Sequence, residues 1–599
     1  MAISNTTTDL QPTVQEAIAV ALRDSVRRAS DAGKLGALTP ERVDDLKLVV
    51  EVPNDLSNGD YASPSALGLA KVCRMSPRQI AEAIAAEFSL PDIATEIAGP
   101  GFINFRLEPL FLERSLRQLL AAGNDFGKTR TDSPEKILLE FVSANPTGPL
   151  HVGHGRWAAI GSTLANLLSW AGHEVDREYY INDAGNQMQL LGRSLQVRYQ
   201  QLLGESVELP EDCYRGTYLI EMAERLRESG KTLTSLEDFT NYAYGEILNW
   251  QRDTLHQFGT DFERWFSERT LHAIVADTQQ NDIDRALADL QAKNHLYRST
   301  AARQDESSKS QTEAVYFKTA DFGDDKDRVV EKEDGSRTYL AADIAYHRNK
   351  LERGYDRLIN ILGSDHHGYI SRLKASVGAF DFAPDRLEIL LGQFVKLFRV
   401  NLETGKKEEV KMSKRSGNFV SLNDLIDDEE IGVGVDAARW YLLSNSANTK
   451  IDFDLDLAVK QSNDNPVFYV QYAHTRCCSL LRLAAEAGFT PLDLATITDA
   501  SGQLIFAESE ERILLTTLLR IPDALQLAAT ERATHRVIRT AEEVAIAFHK
   551  FYDRCRILGS VMESTPDLAF ARLSLVEATR QVLFNLLDGI LRIDAPQSM

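Results

Sequence analysis

The sequence predicts an α/β protein centred on a parallel sheet, with an α+β module before it and an all-α helical bundle after it. Three observations carry that reading. From "KILLEFVSANP" onward, apolar strands alternate with helical stretches, as a parallel sheet requires. Residues from about 460 to 599 hold long segments of helical apolar periodicity and little strand signal. At 599 residues the chain exceeds what one hydrophobic core organises, so several domains are expected. The expected boundaries are 1–125 for the first module and 126–425 for the α/β domain, with a largely helical insertion at about 195–330. A connecting segment over 426–460 and the bundle over 461–599 follow.

In the first module, "VQEAIAVALRDSV" has helical periodicity and "LKLVVEVP" reads as a strand. "SPRQIAEAIAAEF" offers Ser76 as N-cap with Pro77 at the first helical position, and "GPGFINFRL" is a glycine-proline turn feeding a strand. None of these elements proposes chemistry.

The next segment does. Ile137, Leu138 and Leu139 form an apolar strand, Pro146 to Pro149 make a turn, and from Leu150 the apolar spacing is helical as far as Gly172. His151 and His154 therefore fall at a helix N-terminus beyond the carboxyl end of a strand, where open α/β sheets bind ligands and unpaired N–H groups favour phosphate. Gly153 and Gly155 lack a Cβ and would let a flat base or ribose approach the backbone. Taken alone, the two histidines are equally a structural pair or half a metal site.

Composition sets bounds on the rest. With 43% hydrophobic and 26% charged residues the chain is ordinary for a soluble globular protein, and no apolar run of membrane-spanning length is read from it. The start, "MAISNTTTDLQPT", lacks the basic patch and apolar core of a secretory signal, so a cytoplasmic enzyme is expected. The five cysteines (Cys73, Cys213, Cys477, Cys478, Cys555) contain no C-x-x-C pair, which argues against a disulfide framework or a structural metal. Net charge is -22, yet residues 461–599 carry 13 Lys and Arg against 17 Asp and Glu, only -4 of that total. Twelve of the 13 cations are arginine, whose planar fork suits phosphate. In "RATHRVIRT", Arg532, Arg536 and Arg539 stand at i, i+4 and i+7, one helical face.

Downstream, "VKMSKRSGNFVSL" resembles the KMSKS loop of class I aminoacyl-tRNA synthetases, and "HVGH" resembles their HIGH signature. Lys411 and Lys414 are compact charges on flexible stems, suited to following negative charge onto departing pyrophosphate, with Met412 and Ser413 between them. "EFVSANPTGPLHVGHGR", "VDREYYINDAGNQ", "RTYLAADIAYHRNK", "LGSDHHGYISRLKA" and "NPVFYVQYAHTR" extend the likeness along nearly the whole chain, and the family they resemble is arginyl-tRNA synthetase.

The resemblance implies a Rossmann-type catalytic domain that activates L-arginine with ATP and Mg2+ and transfers it to the 3'-terminal adenosine of tRNA(Arg). It implies catalytic roles for His151, His154, Lys411 and Lys414, and ATP contacts from Gly153, Gly155, Gly363, Asp365, His366, Met412 and Ser413. It places arginine on Glu140, Asn145, Tyr339, Asp343 and His367. Tyr339 and Asp343, four apart on a helix, share a face, and a carboxylate pair is what a five-donor guanidinium asks for. The metal reading of Asp365-His366-His367 is disfavoured for want of further ligands.

By the same resemblance the first module touches tRNA, the 426–460 segment contacts the stem, and the bundle binds the anticodon through Arg532, Arg536, Arg539 and Tyr472. A monomer without membrane attachment is expected. A non-catalytic tRNA-binding paralogue is disfavoured because every signature residue is intact. A synthetase for another amino acid, such as cysteine, would want a zinc thiolate pocket that the cysteine spacing does not offer.

Overall fold

The computed structural model describes residues 12–53, 55–276, 279–300, 313–401, 404–410, 420–429, 431–488 and 496–599. Its first module opens with helix α1 (Val14–Asp31), started by a capping box between Thr13 and Glu16. Strand β1 (Tyr61–Ser63) and helix α2 (Ser65–Cys73) follow. Helix α3 (Pro77–Glu87) is capped by Ser76 with Pro77 at its first position, as the sequence predicts. Strands β2 (Ile93–Ala98) and β3 (Phe102–Leu107) complete an antiparallel sheet of order β1-β3-β2, and helix α4 (Pro109–Ala122) leads out. The expected strand at "LKLVVEVP" does not form. Glu51 alone pairs, with Ala62, and the Val49 N–H is taken by the Ser65 hydroxyl.

The central sheet is fully parallel. Strand β4 (Lys136–Glu140) is followed by helix α5 (Val152–Trp170), strand β5 (Glu174–Ile181), helices α6 (Asn186–Leu202), α7 (Tyr218–Glu228) and α8 (Leu236–Gln257), and strand β6 (Arg264–Ser267). Helices α9 (Arg269–His272) and α10 (Asp282–Ala292) precede a small antiparallel sheet of β7 (Leu296–Ser299), β8 (Ala314–Phe317) and β9 (Arg328–Glu331). The range expected as one largely helical insertion, 195–330, thus contains β6 of the central sheet and two strands and part of a third from the small one. Strands this short leave little periodic signal.

Helix α11 (Tyr339–Glu352) then enters β10 (Arg357–Gly363), and helix α12 (Ile370–Ala379) enters β11 (Leu387–Gly392). The order β11-β10-β4-β5-β6 means that the chain winds outward in both directions from the gap between β4 and β10. That gap is the topological switch point, and its carboxyl ends are the ligand-binding edge of such sheets. Beyond it lie β12 (Val395–Val400), β13 (Lys407–Glu409), α13 (Leu422–Asp427), α14 (Gly434–Leu443), β14 (Ile451–Asp454) and α15 (Leu455–Ala458).

The bundle consists of α16 (Pro466–Glu486), α17 (Ser509–Leu519), α18 (Ile521–Thr530), α19 (His535–Arg554), α20 (Ser560–Ser564) and α21 (Pro566–Phe584). The stretch Ser509–Thr530 is long and apolar enough to cross a membrane by length and composition, contrary to the sequence reading. It divides into α17 and α18 at Arg520, and its Glu511 is fully buried against Arg572, at 2.6 Å, inside the bundle. All five cysteines are unpaired thiols.

Two buried arginines lock the parallel-sheet domain to its neighbours. Arg156, from the "HVGHGR" segment, donates to the carbonyls of Gln393, Ser446 and Thr449 at 2.6, 3.0 and 2.7 Å. Arg439 on α14 donates to the carbonyls of Leu591 and Phe258 and to the Ser162 hydroxyl, at 2.8, 2.7 and 2.9 Å. Burial pushes these guanidinium groups down to about 10 and about 9, still above neutral pH, so both remain charged and the carbonyls around them replace the lost water.

Candidate active site

A cavity of about 1010 Å³ opens at the switch point, walled by the carboxyl ends of β4 and β10, the start of α5, one face of α11 and residues 211–218. Of the predicted site residues it gathers Glu140, Asn145, His151, Gly153, His154, Tyr339, Asp343, Gly363, Asp365 and His366. The turn after β4 that aims several of them is strained, since Val142 and Ser143 have φ of 68° and 44°. It is held from outside. Gln251 donates to the carbonyls of Asn145 and Gly148 at 3.1 and 2.8 Å, Tyr218 donates to that of Thr147 at 2.7 Å, and Tyr179 bonds both backbone groups of Ala144 at 3.1 Å. Helices α7 and α8 thus buttress the site.

At the end formed by α5, His151 is the N-cap and His154 the third residue of the helix. Their rings stack 3.6 Å apart, and each Nδ1 accepts the other's backbone N–H at 3.3 Å. An Nδ1 that accepts carries no proton, so the N–H of each ring is on Nε2. Gly153 lines the cavity, and a Cβ there would come 2.8 Å from the His151 ring, so its place is to admit that imidazole. Gly155 lies outside the cavity wall. It is buried, and a Cβ there would strike Leu422 Cδ1 at 2.7 Å, which makes it a packing glycine against α13 instead of an opening for a base. Lys411, Met412, Ser413 and Lys414 lie outside the described residues. The segments flanking them are anchored at the site: Val410 N–H donates to Leu397 at 2.8 Å, Ser421 pairs with His151, and Leu422 N–H donates to Leu150 at 2.7 Å.

At the opposite end Asp343 lines the cavity deep among polar side chains. Burial, then the negative charges of Glu140 and Glu268, push its carboxyl up to about 7, against the pull of Lys350 and a hydrogen bond from Tyr369. Glu140 is 7% exposed, accepts from the Ser143 hydroxyl at 3.1 Å and pairs with the fully buried Lys350 ammonium. Lys350 also donates to Asn360 at 3.1 Å and lies 4.2 Å over the Tyr346 ring. Asn145 is exposed and donates to Gln187 at 2.9 Å. Tyr339 lines the cavity but is 75% exposed, so it stands at the mouth and does not close over the ligand site.

The "GSDHHGY" segment behaves differently from expectation. Residues Ser364–Tyr369 form a 3-10 helix, whose three-residue repeat aligns His366 with Tyr369 and turns His367 away. His367 is exposed and outside the cavity wall, whereas Tyr369 lines it and reaches Asp343. Gly363 permits the Asp365 carboxylate to fold back, with Oδ1 2.5 Å from where a Cβ would stand. Sequence reasoning missed Lys350, Tyr369, Tyr180 and Glu268. Lys350 was within reach: it is seven residues beyond Asp343, on the same helix face in "YLAADIAYHRNK".

The predicted cationic face of the bundle is only partly a face. Helix α19 begins at His535, after Arg532, which takes φ of 55° in the preceding turn. Arg532 is engaged with Glu388 on β11 at 3.2 Å and with the Ala529 carbonyl, so it fastens the bundle to the edge of the sheet. Arg536 pairs with Glu531 at 2.7 Å, and Arg539 is exposed without a salt bridge among the described residues. Tyr472 is half-buried, stacked on Phe468 with ring centres 5.9 Å apart and capped by the Arg476 guanidinium at 4.4 Å.

Comparison with known proteins places this geometry. The family model "tRNA synthetases class I (R), catalytic domain" matches residues 115–438, "Arginyl tRNA synthetase N terminal domain" matches 13–107, and "DALR anticodon binding domain" matches 470–599. The chain is 59% identical over 588 residues to the arginine–tRNA ligase of Synechococcus sp. (strain JA-3-3Ab), covering 97% of this chain and 98% of that protein. It is 40% identical over 595 residues to the arginine–tRNA ligase of Bacillus subtilis (strain 168), covering 97% of this chain and all of that one. The fold matches the Thermus thermophilus arginyl-tRNA synthetase structure with a TM-score of 0.70 at 23% identity, over 97% of this chain and all of the other. The chain belongs to the arginyl-tRNA synthetase family of class I aminoacyl-tRNA synthetases.

Proposed function

We propose that the chain joins arginine to its tRNA in this cavity, with Asp343 meeting the guanidinium and the paired histidines meeting the nucleotide phosphates. The observation that carries it is the division of the cavity: buried carboxylates short of positive charge at one end, and neutral imidazole donors on a helix N-terminus at the other. Arginine lies along α11 with its guanidinium between Asp343 and Glu140, Tyr339 at the mouth and Asn145 toward the main-chain end of the substrate. Its carboxylate, ionised at neutral pH, attacks the α-phosphorus of ATP. An O–P bond forms and pyrophosphate leaves, so the step asks for alignment and charge stabilisation and no general base.

His151 and His154 donate from Nε2, reinforced by the helix N-terminus, while Lys411 and Lys414 follow the departing pyrophosphate. Gly153, Gly363, Asp365 and His366 border the nucleotide. The tRNA 3'-terminal hydroxyl then attacks the arginyl carbonyl and releases AMP. Magnesium, carried in on ATP, would offset the charge of the triphosphate. The exposed Arg539 and the Tyr472–Arg476 stack serve the tRNA, and the enzyme acts as a cytoplasmic monomer on this reading.

The test is pyrophosphate exchange into ATP with each of the twenty amino acids, with and without total tRNA. Exchange with arginine alone, and only when tRNA is present, is expected. Exchange with a different amino acid overturns the pocket assignment.

A further inference from the structure

Helix α11 lays a polar stripe under the amino-acid end of the cavity, Tyr339, Asp343, Tyr346 and Lys350, at i, i+4, i+7 and i+11. The last of these is unusual. Lys350 is 0% exposed, and an ammonium so placed is tolerated only with a carboxylate and further acceptors around it. It has them: the Glu140 carboxylate, the Asn360 amide oxygen at 3.1 Å and the Tyr346 ring face. Asn360 and Glu140 are register partners on β10 and β4, so Lys350 sits at the strand pair that defines the switch point.

The groups acting on the Asp343 carboxyl are Lys350 on its own helix, Glu140 from β4, Tyr180 from β5, Glu268 before α9, and Tyr369 from the 3-10 turn, while His347 one turn on meets the Asp343 backbone carbonyl through Nδ1 at 2.8 Å. His347 is held neutral by burial and adds no charge. Glu268 is 3.6 Å from His272. Of the carboxylates lining the cavity floor, Glu140 holds the Lys350 ammonium in an ion pair, whereas Asp343 feels it only at a distance and has no ion pair among the described residues.

We propose that Lys350 is the positioning residue for amino-acid selection: by neutralising Glu140 within the protein, it leaves Asp343 as the carboxylate that the substrate's cation must satisfy. Glu140 then works as an acceptor without net charge, and the site is matched to one cation instead of two. The inference rests on the assignment of arginine to this end of the cavity.

The experiment is the KM for arginine in tRNA aminoacylation between pH 6 and 9, with the KM for ATP alongside, for wild type, Glu140→Gln, Lys350→Met and the double variant. Glu140→Gln strands the ammonium beside Asp343. It raises the arginine KM about tenfold near neutral pH and moves the midpoint of the pH profile about one unit toward acid. Lys350→Met moves the midpoint toward alkali, because Glu140 then faces Asp343 uncompensated. The double variant, an isosteric neutral pair, returns the arginine KM to within about threefold of wild type, and Lys350→Arg keeps the wild-type midpoint.

A double variant no better than Glu140→Gln, or a Glu140→Gln profile with an unmoved midpoint, overturns the proposal. The second holds even if Lys350→Met fails to fold. A wild-type enzyme that charges a different amino acid defeats instead the substrate assignment beneath it.

Discussion

The two ends of the cavity are built on opposite principles. At the amino-acid end the polar groups are sunk into regular structure: Lys350 and Glu140 are buried, Asp343 hangs from the middle of α11, and β4 and β10 fix their spacing. At the phosphate end the groups stand at element termini and in turns, with Asp365 and His366 side chains 65% and 55% exposed. On the proposed function, the difference follows from what each end would recognise. A guanidinium offers fixed planar donors that reward a rigid acceptor set, and a pocket left with unpaired buried groups rejects amino acids lacking them. A triphosphate changes its charge distribution during reaction, so donors must be distributed and able to follow.

The largest effect expected from breaking this contrast is at Asp343. Asp343→Ala removes the partner of a desolvated cation, and kcat/KM for arginine should fall by about 10³-fold, roughly 4 kcal/mol, while the KM for ATP changes little. Steady-state kinetics with each substrate varied in turn checks it. A comparable rise in the ATP KM would erase the division between the two ends. His154→Ala acts at the other end. Losing a donor aimed at developing charge should slow activation by about 10²-fold with arginine affinity kept, read by pre-steady-state adenylate formation. His151→Ala removes the N-cap of α5 as well, so it should add a drop in melting temperature that His154→Ala shows less strongly.

The sign of the pH dependence sharpens the same contrast. The Asp343 carboxyl, pushed up to about 7 in the free site, is largely protonated at pH 6, and a bound guanidinium pulls it down. Binding therefore releases a proton and tightens as pH rises through that value, by about tenfold between pH 6 and pH 8, then flattens. Calorimetric titration with arginine in buffers of different ionisation enthalpy measures the released proton directly. Affinity that falls with rising pH over that range would contradict the charge deficit assigned to this end.

How legible these features were in the sequence depends on how local their causes are. The Ser76 cap, and the strand, turn and helix N-terminus that carry His151 and His154, rest on neighbouring residues, and the sequence places them correctly. Asp343 follows from the family resemblance, with helical spacing adding only that it shares a face with Tyr339. What the sequence misplaced depends on partners far along the chain. Gly155 is explained by Leu422, and Arg532 by Glu388 across the domain boundary. His367 is lost to Tyr369 because a 3-10 turn, and not an α-helical one, sets the facing residues. Lys350 went unread because a lysine near the end of a helix resembles a solvated terminus. Only the pairing of β4 with β10 shows that it is enclosed.

The smallest expected effect separates position from contact. Tyr339 shares its helix face with Asp343, and spacing alone would give both the same weight. At 75% exposed, however, its hydroxyl is already solvated in the free enzyme, so deleting it leaves no buried group unsatisfied. Tyr339→Phe should raise the arginine KM by only about threefold, under roughly 1 kcal/mol, with no change in the pH profile that Asp343 governs. A loss approaching that of Asp343→Ala would mean that the mouth closes over the substrate and buries the ring. The amino-acid end would then share the mobility that otherwise distinguishes the phosphate end.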